Sequence, residues 1–180
     1  MQSKLMSSEE NQAGMVGRWA LRFGVGAGVL CAVWMLILHL TGNNAFGPKH
    51  ILPQFLVPVA AVASQWALRR SIRPSKAGLG RAVGVGALTA LLAALIAASS
   101  LYSLGQSVGP AALQLNRAEM VEIARSQRDY LVKEGGQAAY EQQLRQLQQV
   151  TLADIAQSDF VKILLLGLMF ALPTGVFLRE

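Results

Sequence analysis

The chain is poor in the residues that most catalytic and metal sites are built from. Cys31 is its single cysteine, which excludes an intrachain disulfide framework and a thiol cluster for metal or redox work. Its two histidines, His39 and His50, stand apart with no cysteine or carboxylate beside them in the sequence, a weak basis for a metal site. No Ser-His-Asp or Cys-His arrangement follows from the spacing, and no phosphate-binding loop is present. The expectation is a non-enzymatic protein with no cofactor and no bound metal.

Charge is also scarce. Charged residues make up 14% of the chain and hydrophobic residues 53%, against roughly 25% charged in ordinary soluble domains. The net charge of +6 does not point to nucleic acid, because the cations sit beside apolar runs rather than on a basic face interleaved with aromatics.

What the chain has in abundance is long apolar sequence. Trp19 to Thr41 and Ala82 to Leu104 each cover 23 residues with hardly a charge, or about 34 Å as helix, enough to cross a hydrocarbon core of about 30 Å. Ile51 to Leu68 and Phe160 to Leu178 are shorter candidates of the same kind. The fold class expected is an all-α integral membrane protein: a tail over 1–18, three spans within 19–104 (about 19–41, 51–68 and 82–104), a helical segment over 105–159, and a fourth span with a short C-terminus over 160–180. The first run is longer than a signal-peptide core and lacks a convincing cleavage pattern, so it is read as a retained span.

Basic residues in short loops mark the cytoplasmic side. The link between the second and third spans carries Arg69, Arg70, Arg73, Lys76 and Arg81 with no acid, while 105–159 has five Lys/Arg against seven Asp/Glu. That places the 69–81 link and both termini, with Lys4, Arg18, Arg22 and Arg179, in the cytoplasm, and the 105–159 segment outside. A multi-pass membrane protein is expected, with the lipid bilayer as its first partner.

Small residues recur along the spans: Gly24, Gly26 and Gly28 in the first, and Gly80, Gly84, Gly86, Ala90, Ala94 and Ala98 in the third. At a spacing of four they let helix backbones approach closely, which predicts internal seams. Pro58, deep in the second run, should kink or loosen its helix.

The 105–159 segment has its own pattern. Gly109-Pro110 opens a helix, and Leu113, Met120, Ala124 and Leu131 recur at helical spacing until Gly135-Gly136 breaks the run. Beyond it, Tyr140, Leu144, Leu147, Thr151 and Ile155 repeat at spacings near a coiled-coil seam. Two arms of about 22 residues about a glycine hinge predict an antiparallel helical hairpin. Tyr140, Leu144, Leu147 and Ile155 are the candidate binding face, and His39 is the candidate intramembrane polar contact.

This plan resembles the family of small four-span bacterial membrane proteins known as domain of unknown function 4199. The resemblance is carried by AGLGRAVGVGALTALLAAL from Ala77 to Leu95, by Tyr102, by the charged insert from Asn116 to Val150, and by FVKILLLGLMFALPTGVFLRE from Phe160. It implies the four-span layout and no reaction. The second span, PQFLVPVAAVASQWALRR, departs from the plainer aliphatic helix that the resemblance implies. The function expected is an interaction or assembly component acting through the hairpin on a protein partner, on another copy of itself or on the membrane surface. The rival is a small oligomeric transporter or channel, for which Thr89, Ser99 and Ser100 offer a polar seam.

Overall fold

The computed structural model describes residues 2–73 and 78–178, with side chains from Gly14 onward. Lys76 and Arg179, and the side chain of Lys4, lie outside the described residues. Among the described residues every regular element is helical: α1 (Gln2–Leu40), a 3-10 helix (Pro48–Phe55), α2 (Leu56–Ser71), α3 (Leu79–Val108), α4 (Pro110–Ser126), α5 (Arg128–Gln149) and α6 (Leu152–Phe177). Four stretches are long and apolar enough to cross a membrane: Gly14–Leu40, Pro48–Ser71, Leu79–Val108 and Leu152–Phe177. α2 and α3 each pack against all three other spans, so α1 and α6 flank a central α2–α3 pair.

The outer surface of this bundle is apolar. Leu30, Leu36, Val59, Leu88, Leu165 and Met169 are exposed, as expected of helices whose solvent is lipid. Tryptophans sit toward both ends, where an amphipathic ring suits the headgroup region. Trp19 Nε1 donates to Ser71 Oγ at 3.1 Å, Arg70 lies over Trp66 at 5.4 Å, and at the other end Trp34 Nε1 donates to the Lys49 carbonyl at 3.0 Å.

Inside, small residues set the spacing. Gly24 and Gly28 face α3: a Cβ on Gly28 would lie 2.7 Å from Ile96 Cβ, and one on Gly24 would lie 2.9 Å from the Thr89 carbonyl oxygen. Ala90, Ala93, Ala94 and Ala97 continue the seam with Ala27, Cys31, Val57 and Ile163. The expected seam is therefore real but narrower than the sequence suggested, because Gly26, Gly80 and Gly84 have nothing within 4 Å of a built Cβ. A second seam, on α6, was not anticipated. Gly167, Ala171 and Gly175 recur every four residues and are buried, Gly167 against Ala90 and Gly175 against Val83.

Two element boundaries differ from expectation, each for a local reason. The second span enters as a 3-10 helix containing Pro53, and the α-helix begins only at Leu56. Pro58 thus falls in the first turn of α2, where its missing N–H costs little, rather than breaking a helix already under way. Likewise α6 begins at Leu152 and not near Phe160. Thr151 Oγ1 accepts from the Asp154 backbone N–H at 3.2 Å while Asp154 Oδ2 accepts from the Thr151 N–H at 2.8 Å, a reciprocal capping box that starts the helix there.

The pair α4 and α5 stands between the third and fourth spans. Gly109, at φ +82°, turns the chain into Pro110, and Gly136, at φ +80°, breaks α5 where the glycine hinge is expected. The first arm thus runs from Pro110 to Gly135 with an irregularity at Gln127, and the second from Gln137 only to Gln149. The apolar stripe expected to run from Tyr140 through Thr151 to Ile155 is interrupted: its last two members belong to the cap and first turn of α6.

Candidate functional site

The most concentrated polar chemistry lies at the end of the bundle that carries α4 and α5. Three buried side chains meet there: His50 and Gln54 from the 3-10 helix and Asp159 from α6, with 6%, 3% and 2% of their surface exposed. His50 Nε2 is 2.8 Å from Asp159 Oδ1, and Gln54 Nε2 donates to Asp159 Oδ2 at 3.0 Å. His50 Nδ1 is 2.6 Å from the Gly47 carbonyl oxygen. A carbonyl can only accept, so Nδ1 carries a hydrogen. The proton between Nε2 and Oδ1 belongs either to the ring or to the acid, and in both cases the pair as a whole is neutral. That makes its burial tolerable where an isolated charge would not be.

The 3-10 entry places these groups. His50 and Gln54 sit on one side of the short helix, while Leu52 and Phe55 are exposed. Asn44 fixes the preceding turn: its Oδ1 accepts from the Phe46 N–H at 3.0 Å, and its Nδ2 reaches Asn116 Oδ1 at 3.3 Å and Glu119 Oε2 at 2.5 Å on α4. Arg117 Nε donates to the Val150 carbonyl at 2.9 Å, tying the middle of α4 to the end of the second arm. The insert is thereby docked onto the bundle.

Between insert and bundle lies a cavity of about 340 Å³, within the size range of small-ligand sites. His50 and Asp159 line it, with Arg117 and Met120 of α4, Leu147 of α5 and Lys162 of α6. Among the described residues no three His, Cys, Asp or Glu side chains come together as a metal site would need.

The residues singled out from the sequence are distributed around this cavity unevenly. Tyr140 is buried and Leu144 half-buried, while Leu147 and Ile155 are cavity-lining residues. His39 lies exposed in the last turn of α1, away from the polar cluster's hydrogen bonds. Thr89 is buried and donates to Ser64 Oγ at 2.9 Å, whereas Ser99 is exposed. His50, with no carboxylate beside it in the sequence, is the histidine that has one, supplied from 109 residues away. Asp159 and Gln54 carried a faint signal, each a lone polar residue at the mouth of an apolar run, but nothing in the spacing joined them.

No curated protein and no solved structure matches this chain. The model of the family described as protein of unknown function, DUF4199, matches residues 22–180. That match begins inside the first candidate span and takes in the other three and the α4–α5 pair, and the chain belongs to the DUF4199 family.

Proposed function

We propose that this chain is a non-enzymatic, multi-pass protein of the bacterial inner membrane, an interaction component whose extracytoplasmic α4–α5 segment recognises its ligand through the inner face that roofs the cavity. The observation that carries this reading is the cavity itself, walled by the insert on one side and by the buried His50–Asp159 pair on the other. Tyr140 is already buried, so much of the hairpin's apolar stripe is used to hold the insert and less of it is free to meet another protein. The outward residues Leu115 and Tyr130 are exposed and support the second reading, an assembly surface for a partner or another copy. The transporter reading draws on polar groups inside the bundle, where Gln65 Nε2 donates to the Ala171 carbonyl at 2.7 Å and Gln65 Oε1 is buried without a hydrogen-bond partner.

Native mass spectrometry of protein purified in mild detergent tests the choice. A retained small molecule in the wild type, lost in Met120→Trp, is the expected result. Nothing retained, or equal retention by both forms, overturns the cavity reading. A stoichiometric protein partner that survives Met120→Trp and is lost on Tyr130→Asp establishes the assembly reading instead.

Arg69, Arg70, Arg73 and Arg81, at the end opposite the insert, support this orientation. Reporters fused after Gly42 and between Gln137 and Tyr140 are expected outside, and those at Ser75 and after Glu180 inside. A cytoplasmic signal from the Gln137 fusion would invert the bundle and sink the assignment.

A further inference from the structure

The charges that face the cavity do not cancel. Asp159 has both carboxylate oxygens engaged, by His50 and by Gln54. Asp154 is occupied with the cap, accepting from Thr151 N–H at 2.8 Å and from Thr151 Oγ1 at 2.6 Å. The two cations, Arg117 and Lys162, have no acidic partner among the described residues. Arg117 spends only its Nε, on the Val150 carbonyl, which orients the guanidinium and leaves its two amino groups available. Much of the remaining wall is apolar: Phe46, Ile51, Met120, Leu147, Val150 and Ile155.

With the His50–Asp159 pair neutral as a whole, two cations face the single carboxylate charge of Asp154, and this positive excess over an apolar wall favours a ligand with one anionic end and a short hydrocarbon body. Resting on the cavity reading above, we infer that the cavity takes an anionic amphiphile, its phosphate or carboxylate held by Arg117 and Lys162 and its apolar part laid against Met120, Leu147 and Ile155. The cavity lies at the end of the candidate spans that carries the α4–α5 segment, within reach of lipid headgroups if those spans cross a bilayer. The same chemistry is therefore offered by an anionic phospholipid of the outer leaflet and by a free amphiphilic phosphate.

The test uses full-length protein in mild detergent, with Cys31→Ala and Leu147→Cys, and follows the rate of maleimide labelling at position 147. Four probes are compared: dihexanoyl phosphatidylglycerol, dihexanoyl phosphatidylcholine, hexyl phosphate and hexanol. An anionic probe should slow labelling at about one-tenth the concentration its uncharged or zwitterionic counterpart requires, a difference of about 1.4 kcal/mol. Arg117→Gln and Lys162→Gln should each remove most of that preference, Arg117→Lys should restore part of it, and Arg145→Gln, on the exposed face of α5, should leave it intact. Protection by phosphatidylglycerol alone identifies a lipid headgroup, and equal protection by hexyl phosphate identifies a free amphiphile. Protection by all four probes alike, whatever the charge of the headgroup, overturns the anionic ligand while the cavity reading stands. No protection by any probe overturns both.

Discussion

His50→Leu should destabilise the folded protein by about 3–5 kcal/mol, the range measured when one partner of a buried pair is removed, whereas Asp159→Asn should cost about 1 kcal/mol or less. The asymmetry comes from the proton count. With leucine at position 50, Asp159 Oδ1 loses its only described donor and a buried carboxyl must either stay charged beside Gln54 alone or take up a proton. With asparagine at 159 every group keeps a partner. The His50 Nδ1–H still donates to the Gly47 carbonyl, the asparagine amide donates to the free Nε2 lone pair, and the asparagine carbonyl accepts from Gln54. Equilibrium unfolding in mixed micelles measures both variants. A silent His50→Leu would show that the pair does not hold the second span's entry to α6. An Asp159→Asn as damaging as His50→Leu would show that the shared proton lies on the ring and that the site is held as an imidazolium–carboxylate pair, the ionic one of the two forms the geometry allows.

The spans were legible because lipid imposes a rule that needs no partner: a helix facing hydrocarbon must be apolar over its own length, and Trp19 to Thr41 and Ala82 to Leu104 satisfy it alone. The hinge at Gly136 and the start at Pro110 were legible for the same reason, since positive φ and a proline's missing N–H are properties of single residues. What sequence reading lost was everything decided by a second chain segment. Thr151 has the residue type of a helix cap, but it also falls in register with the apolar stripe that runs on to Ile155, so nothing local marks the break there. His39, within an apolar run, drew the candidate role, whereas the carboxylate that sets His50 apart comes from Asp159, 109 residues away. Lys162 stands near the start of the last apolar run, and only the longer α6 makes it part of a cavity wall. Gly24, Gly26 and Gly28 differed in nothing but the direction each faces.

That last distinction carries the second large effect. Gly167→Leu and Gly28→Leu should each lower stability by about 1–3 kcal/mol or more, as overpacking does, while Gly84→Leu and Gly26→Leu should be near neutral. At Gly28 a Cβ would lie 2.7 Å from Ile96 Cβ and 3.2 Å from the Ala93 carbonyl oxygen. At Gly167 it would collide with Ala90 Cβ, and Ala90 has no torsion that could move the methyl away. Relief then requires α1 to separate from α3, or α6 from α3, and in lipid that separation forfeits the close van der Waals contact that holds the helices together. Gly84 and Gly26 meet nothing within 4 Å, so a leucine there adds a side chain to a surface already made of exposed leucine and valine. Unfolding midpoints in micelles for the four variants separate the seams from the lipid face. A Gly84→Leu midpoint depressed as far as that of Gly167→Leu would mean that α3 is rotated from the orientation described, with its Gly84 face turned inward against a neighbouring helix.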